Sequence, residues 1–424
     1  MIIALIAFAV LLLLGVPIAY VLGITTVIYI FTTDNLTLLI TVPQRLYSGM
    51  ENYGLLAIPL FMLAGELMNF GGITKRLVNF AKQFIGHFRG GLAYVNVAAN
   101  MMLAAIIGSA TAQIAMMSRT MVPEMEKSGY SRSFSTATTA AAGLLGPIIP
   151  PSMLFIIYGV SSGASIADMF KAGVIPGILL GLSFIVIIAF IGLKESWPKE
   201  KRASIGEMFR SFLSVLPALS VPLIIIVGIL SGAFTATESA AVASFVALLV
   251  GLFFYRELKF SQIPRILINT VSTTAVITIL IAMANIFGWM LAFERVPQLI
   301  AEWMVSISDS TVIFLMLVNI FLLILGMFMD GIAALIILVP IFMPLLPLYN
   351  VDPIHFGIII CINLTIGILT PPVGSGLFIA SSITKVPIGE LVRSLWPFLV
   401  TSVVVLLILT YIPSLTLWLP HATK

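Results

Sequence analysis

The chain has 424 residues, 60% of them hydrophobic and 9% charged, with a formal net charge of +4. Its apolar runs are continuous, Leu/Ile/Ala-rich and of membrane length, which describes an all-α polytopic membrane protein and argues against an outer-membrane barrel. The basic residues cluster in short loops, so the positive balance reports orientation in a bilayer and gives no reason to expect a nucleic-acid partner.

The first run, IIALIAFAVLLLLG, begins at residue 2 without a basic n-region or a small-residue cleavage site, so it is expected to be retained in the membrane. Gly15-Val16-Pro17 splits residues 2 to 32, which read either as a short up-down pair with an external N-terminus or as one long tilted helix. In residues 73 to 88, Ile73, Leu77, Phe80, Ala81, Phe84, Ile85 and Phe88 share one helical face, opposite Lys75, Arg76, Asn79, Lys82 and Gln83. That stripe predicts an interfacial helix, serving as a brace between a moving and a fixed domain or as a surface anchor.

Farther along come an interruption at Gly108 to Gln113 (GSATAQ) and a double-proline break at residues 146 to 152 (GPIIPPS). A small-residue ridge at Gly173, Gly177 and Gly181 predicts a close-packed helix seam. A basic linker (Lys194, Lys199, Lys201, Arg202, Arg210) precedes paired spans at 212 to 231 and 236 to 255. A second amphipathic stretch follows at 297 to 307, then an interruption at Met329 to Ala334 (MDGIAA) and a second double-proline break, GILTPPVGSG, at 367 to 376. Cys361, the one cysteine, is expected to be a small buried hydrophobe. Glu66 and Glu238 read as partners in helix packing.

Pro150 and Pro371 are 221 residues apart, as are Gly146 and Gly367, and each break is followed by Leu-Phe and Ser-Ser pairs. Two halves of one architecture therefore follow each other. Proline and glycine break a helix at membrane depth, where freed backbone groups are tolerable only if buried in protein or lining a cavity. Each upstream interruption sits between apolar arms, read as a re-entrant helical hairpin or as two compressed spans. Lys75, Arg76, Lys82, Arg89, Lys127 and Arg132 flank the first hairpin, whereas Glu294, Glu302, Asp309 and Asp352 surround the second with Arg295 alone basic. The base of the first is thus expected in the cytoplasm and that of the second outside, an inverted-topology repeat. The expected organisation is scaffold spans at 1–72, an arm at 73–88, a transport region at 89–193 and a cytoplasmic linker at 194–211. The second repeat supplies scaffold spans at 212–293, an arm at 294–309 and a transport region at 310–424.

Hydroxyls, one amide, freed carbonyls and one carboxylate converge on the four interruptions: Gly108, Ser109, Thr111, Gln113, Gly146, Ser152, Asp330, Thr370, Gly374 and Ser375. Such oxygens suit a hard monovalent cation such as sodium, and helix N-termini at the same breaks suit a substrate carboxylate. Ser109, Thr111, Gln113, Ser152 and Ser375 are the candidate substrate contacts. Asp330 is the one acid at an expected tip and the natural ion-coupling group, with a hairpin cap as its structural alternative. His87, His355 and His421 read as loop or tail residues, no phosphate-binding GxxxxGK[ST] loop occurs, and no catalytic set is found, so neither an enzyme nor a cofactor is expected, and sodium enters only as a coupling ion.

The runs GSATAQ, VPEMEKSGYSRSFSTATTAAAGLLGPIIPPSMLFIIYG, GMFMDGIAALIILVPIFMP and NLTIGILTPPVGSGLFIASS resemble the large membrane subunit of tripartite ATP-independent periplasmic (TRAP) transporters, along essentially the whole chain. The resemblance implies an elevator-type, sodium-coupled carrier in the bacterial inner membrane. It also implies an organic-acid substrate (a C4-dicarboxylate, a sialic acid or another sugar acid) delivered by a periplasmic substrate-binding protein. A small four-helix membrane subunit is the other implied partner, expected as a separate chain because the first repeat begins at residue 2. Carried over by motif, a first sodium site lies among Gly108, Ser109, Gly146, Pro147 and Ile149, and a second among Asp330, Thr370, Pro371 and Gly374. Gln113 departs from the smaller or acidic residues associated with the family. Proton coupling through Asp330 is the alternative.

Overall fold

The structure, a computed structural model, describes residues 2–33, 36–195, 197, 199 and 202–423; Lys201 of the expected linker lies outside the described residues. Glycine or proline marks several of its helix ends. α1 (Ile2–Leu13) and α2 (Ile18–Thr32) are separated at Gly15, whose φ of 73° is the left-handed value a turn there requires, and they pack on each other. At 1.5 Å per residue each covers roughly 20 Å, less than the hydrocarbon core, so the first run is a broken pair and not one long helix. α3 (Thr41–Met50) and α4 (Ala57–Phe70) complete the first group.

The amphipathic stretch is α5 (Ile73–Ile85), with Ile73, Leu77 and Ala81 turned inward. α6 (Gly91–Ile107) and α7 (Ala110–Lys127) form a helical hairpin; α8 (Arg132–Gly143) and α9 (Met153–Ser162) are the halves of the first broken helix, followed by the long α10 (Ile166–Lys194). The second repeat runs α11 (Ile205–Leu230), α12 (Ala236–Leu249), α13 (Ile263–Phe293) and α14 (Val296–Ile307). Its hairpin is α15 (Thr311–Phe328) with α16 (Gly331–Phe342), and its broken helix is α17 (Pro353–Gly367) with α18 (Ser375–Thr384). α19 (Ile388–Tyr411) and α20 (Ser414–Ala422) close the chain. Among the described residues, eight helical segments are long and apolar enough to cross a membrane.

The packing repeats with the chain. α1 lies on α2 as α11 lies on α12, and α4 packs on α12 while α13 packs on α2 and α3. Each broken helix sends its second half across to the opposite hairpin: α9 packs on α16, and α18 on α7. Lipid is as apolar as leucine, so close approach and interhelical hydrogen bonds hold such a bundle together. Gly326 of α15 meets Gly367 of α17 so closely that a Cβ on Gly367 would lie 2.5 Å from the Gly326 backbone. Gly173, Gly177 and Gly181 make the predicted seam, receiving Phe155, Ile149 and Met101 respectively. Polar ladders tie hairpin to broken helix in both repeats. Asn96 Nδ2 donates to Thr139 Oγ1 at 2.7 Å and Asn363 Nδ2 to Asn319 Oδ1 at 2.7 Å, while Asn319 Nδ2 reaches on to Thr410 Oγ1 of α19 at 3.1 Å.

The first arm joins two groups of helices. α5 packs on α6 and α11; Arg76 pairs with Glu257 at 2.7 Å and lies over the Tyr255 ring, while Lys82 pairs with Glu124 of α7 at 3.3 Å. The second hairpin is closed at its base, where Thr311 Oγ1 donates to the Tyr349 carbonyl at 2.9 Å and Phe314 stacks on Tyr349.

Two readings need correction. His355 is not in a loop: Asp352 caps α17 and Pro353 opens it, which buries the imidazole between Thr416 Oγ1 (2.8 Å from Nδ1) and the Thr410 carbonyl (3.2 Å from Nε2). Glu238 is a helix cap, since its carboxylate accepts from the Thr235 N–H at 2.8 Å in a capping box that opens α12. Cys361 is fully buried, as a small hydrophobe would be.

Candidate functional site

The second arm of each hairpin starts at a polar residue, Ser109 in the first and Asp330 in the second, and only Asp330 caps its helix with its side chain. Gly108 ends α6 in the left-handed region (φ 62°), where a Cβ would meet the Pro151 carbonyl at 2.9 Å, so glycine is required for tip and break to touch. Ser109 is the N-cap of α7; its Oγ lies 3.2 Å from Thr111 Oγ1. The first break docks on this tip, with Met153 N–H donating to the Gly108 carbonyl at 3.4 Å. Asp330 is the N-cap of α16, its Oδ2 accepting from the Ile332 N–H at 3.0 Å, and its side chain is otherwise exposed.

Both tips open on one cavity of about 480 Å³. Gly108, Ser109 and Thr111 of the first hairpin, Asp330 and Gly331 of the second, Pro147 of the first break and Thr365 and Ile368 of the second repeat line it. The far wall is Glu66 and Asn69 of α4 with Thr273 and Ile277 of α13. Glu66, expected as a packing partner, is half-buried on that wall with Arg265 and Asn269 of α13 beside it. Two carboxylates and four hydroxyls thus face a space walled mainly by apolar side chains, a composition that suits a cation travelling with a small organic ligand.

Not every candidate residue reaches the cavity. Gln113 lies one turn beyond Ser109 on the buried face of α7, where Nε2 donates to Asn100 Oδ1 at 2.8 Å; Oε1 has no partner and abuts Gly146. Ser152 is buried as the N-cap of α9, its Oγ donating to the Pro147 carbonyl and accepting from the Phe155 N–H at 3.3 Å. Ser375 opens α18 on an exposed surface away from the cavity. Of the first cation set, Gly146 abuts Ser109 while the Ile149 side chain packs against Gly177. Of the second, Thr370 Oγ1 turns back to the Ile366 carbonyl at 2.9 Å, Pro371 follows it outside the cavity, and Gly374 N–H donates to the Met327 carbonyl at 3.0 Å. The second break is therefore tied to the end of α15, three residues from Asp330, but Thr370, Pro371 and Gly374 do not line the cavity. Sequence reasoning missed Asn69 and Thr273. A polar residue inside an otherwise apolar run was the available signal, and it does not say which face meets a cavity.

A sequence model of the tripartite ATP-independent periplasmic transporter DctM component matches residues 5–415. The C4-dicarboxylate TRAP transporter large permease protein DctM of Pseudomonas aeruginosa is 41% identical over 377 residues, covering 89% of this chain and 88% of that one. The sialic acid TRAP transporter large permease protein SiaM of Vibrio cholerae is 38% identical over 407 residues, covering 96% and 95%. The crystal structure of the Alcanivorax borkumensis YdaH transporter superposes with a TM-score of 0.69 at 14% identity, covering 92% of this chain and 90% of that one, a likeness of fold alone.

Proposed function

Because the chain belongs to the DctM family of tripartite ATP-independent periplasmic transporters, membrane permeases and not enzymes, we propose that it performs sodium-coupled uptake of an organic acid handed over by a periplasmic substrate-binding protein. It is a multi-pass protein of the bacterial inner membrane. The single observation that carries the reading is the meeting of both hairpin tips, Ser109 and Asp330, on one cavity between broken helices and the α4–α13 wall.

In this reading Gly108, Ser109, Gly146, Pro147 and Ile149 hold one sodium ion, the contact of Gly146 with Ser109 supporting the grouping. Asp330, Thr370, Pro371 and Gly374 hold a second, supported by the Gly374 to Met327 bond that draws the break toward the tip. Ser109 and Thr111 meet the substrate, a C4-dicarboxylate, a sialic acid or a related sugar acid, classes for which the two relatives are named. The hairpins and broken helices move as a unit against α4 and α13, an elevator stroke, with α5 as the brace and a small four-helix membrane subunit as partner.

The test is uptake into proteoliposomes holding both membrane subunits, with candidate binding proteins loaded in turn with succinate or N-acetylneuraminate. Uptake should require an inward sodium gradient and a loaded binding protein. Uptake driven by a proton gradient without sodium would replace this reading with proton coupling, and uptake indifferent to the binding protein would remove it.

A further inference from the structure

A second cavity, of about 370 Å³, continues the same seam between α13 and the helices of the hairpins and broken helices. Along α13 the first cavity is met by Thr273, Ile277 and Leu280, and the second by Ile281, Asn285 and Trp289, so one helix face serves both in turn. α16 and α9 do the same, meeting the first cavity at Ile332 and Leu154 and the second at Ile336 and Ser161. Leu154 and Leu280 of the first cavity and Ile281 and Ile336 of the second are all buried apolar side chains.

The charges of the two cavities are opposite. The first has the carboxylates of Glu66 and Asp330. The second has one charged lining residue, Arg45 of α3, which among the described residues has no ion-pair partner. The polar groups around it offer hydrogen-bond donors. Asn52 has its Oδ1 engaged by the Gly54 N–H at 2.9 Å, leaving its amide protons free; Ser48 and Ser161 add hydroxyls. The Asn285 side chain is accommodated because its neighbour is Gly49, where a Cβ would lie 3.0 Å from Nδ2. A guanidinium supported by amide donors and hydroxyls, with no acid in the lining, selects a carboxylate.

We propose that this second cavity is an outer carboxylate-binding station, in which Arg45 and Asn285 hold the incoming organic acid before the seam opens and passes it to the cavity at the hairpin tips. The proposal rests on the transport reading above. It gives the two cavities complementary tasks: the anion waits beside Arg45, and moves on when cations have neutralised the acids of the inner cavity.

Three variants test it in the reconstituted system, using whichever of succinate and N-acetylneuraminate the wild type takes up: Arg45→Gln, Arg45→Lys and Asn285→Leu. Initial uptake should fall about tenfold in Arg45→Gln, the effect of one charge-assisted hydrogen bond, and less in Arg45→Lys. Asn285→Leu, at a half-buried position of the cavity wall, should fall severalfold. The affinity of the loaded binding protein for each variant, measured separately, should stay within twofold of wild type. Full uptake by Arg45→Gln would overturn the proposal, as would a loss of uptake matched by an equal loss of docking with Asn285→Leu silent. Either result leaves sodium-dependent wild-type uptake standing, whereas failure of the wild type itself would strike the underlying reading.

Discussion

Ser109 and Asp330, 221 residues apart in the chain, hold the same position in two hairpins: each is the N-cap of the second arm, and both face one cavity. Their chemistry differs. Asp330 spends one carboxylate oxygen on the Ile332 N–H, whereas Ser109 caps nothing with its side chain and leans on Thr111. A charged and a neutral oxygen donor at symmetric places is the arrangement expected of two unequal cation sites.

The charge asymmetry around the two hairpins predicts their sidedness. Lys127 and Lys199 are expected in the cytoplasm, and Asp309 and Asp352 outside. Single cysteines at these positions in a Cys361→Ala background should divide accordingly when labelled with an impermeant thiol reagent. Labelling of positions 127 and 309 from the same side would contradict the repeat.

The Gly326–Gly367 contact should govern stability. Gly367→Ala puts a methyl 2.5 Å from the Gly326 backbone, so α15 and α17 must separate. The cost should be about 1–3 kcal/mol, read as a melting temperature several degrees lower in detergent. An unchanged melting curve would mean the two helices do not approach as described.

Arg76 should matter to transport more than to stability. Its ion pair with Glu257 is partly exposed, 23% and 42% by side chain, so Arg76→Met should cost under about 1 kcal/mol. If α5 braces the moving unit, the same variant should slow uptake severalfold at saturating substrate. Melting and uptake rate measured together separate the two roles, and unaltered uptake would reduce α5 to a surface anchor.

Much of the fold was legible because its punctuation is local. Gly15, the tip at Gly108 and the double-proline breaks interrupt helices through their own backbone chemistry, whatever surrounds them. The cavity was legible from one side only. Its tips carry Ser109 and Asp330 at visible interruptions, whereas Asn69 and Thr273 sit within apolar runs whose facing is set by tertiary packing. Gln113 and Ser152 illustrate the converse, being polar, near a break, and turned into hydrogen bonds of the bundle itself. For His355 the sign was present, since Asp352-Pro353 is a helix start.

Asp330 is the residue proposed to bind the coupling ion. A carboxylate at membrane depth without a cation is costly, on the order of 3 kcal/mol by insertion scales, so sodium should stabilise the hairpin that carries it. Asp330→Asn keeps the size and the cap but loses the charge. Sodium at ten times its dissociation constant should stabilise the wild type by about 1.4 kcal/mol per site, and less of this should remain in the variant. Ser109→Ala should shift sodium dependence in the same direction but less, because one neutral oxygen is lost. The direct measurement is initial uptake against sodium concentration for both variants at fixed substrate and pH. The half-saturating sodium concentration should rise severalfold in Asp330→Asn and more modestly in Ser109→Ala. A sodium curve for Asp330→Asn that superposes on wild type, at normal expression, would contradict that role and leave the residue as the cap of α16.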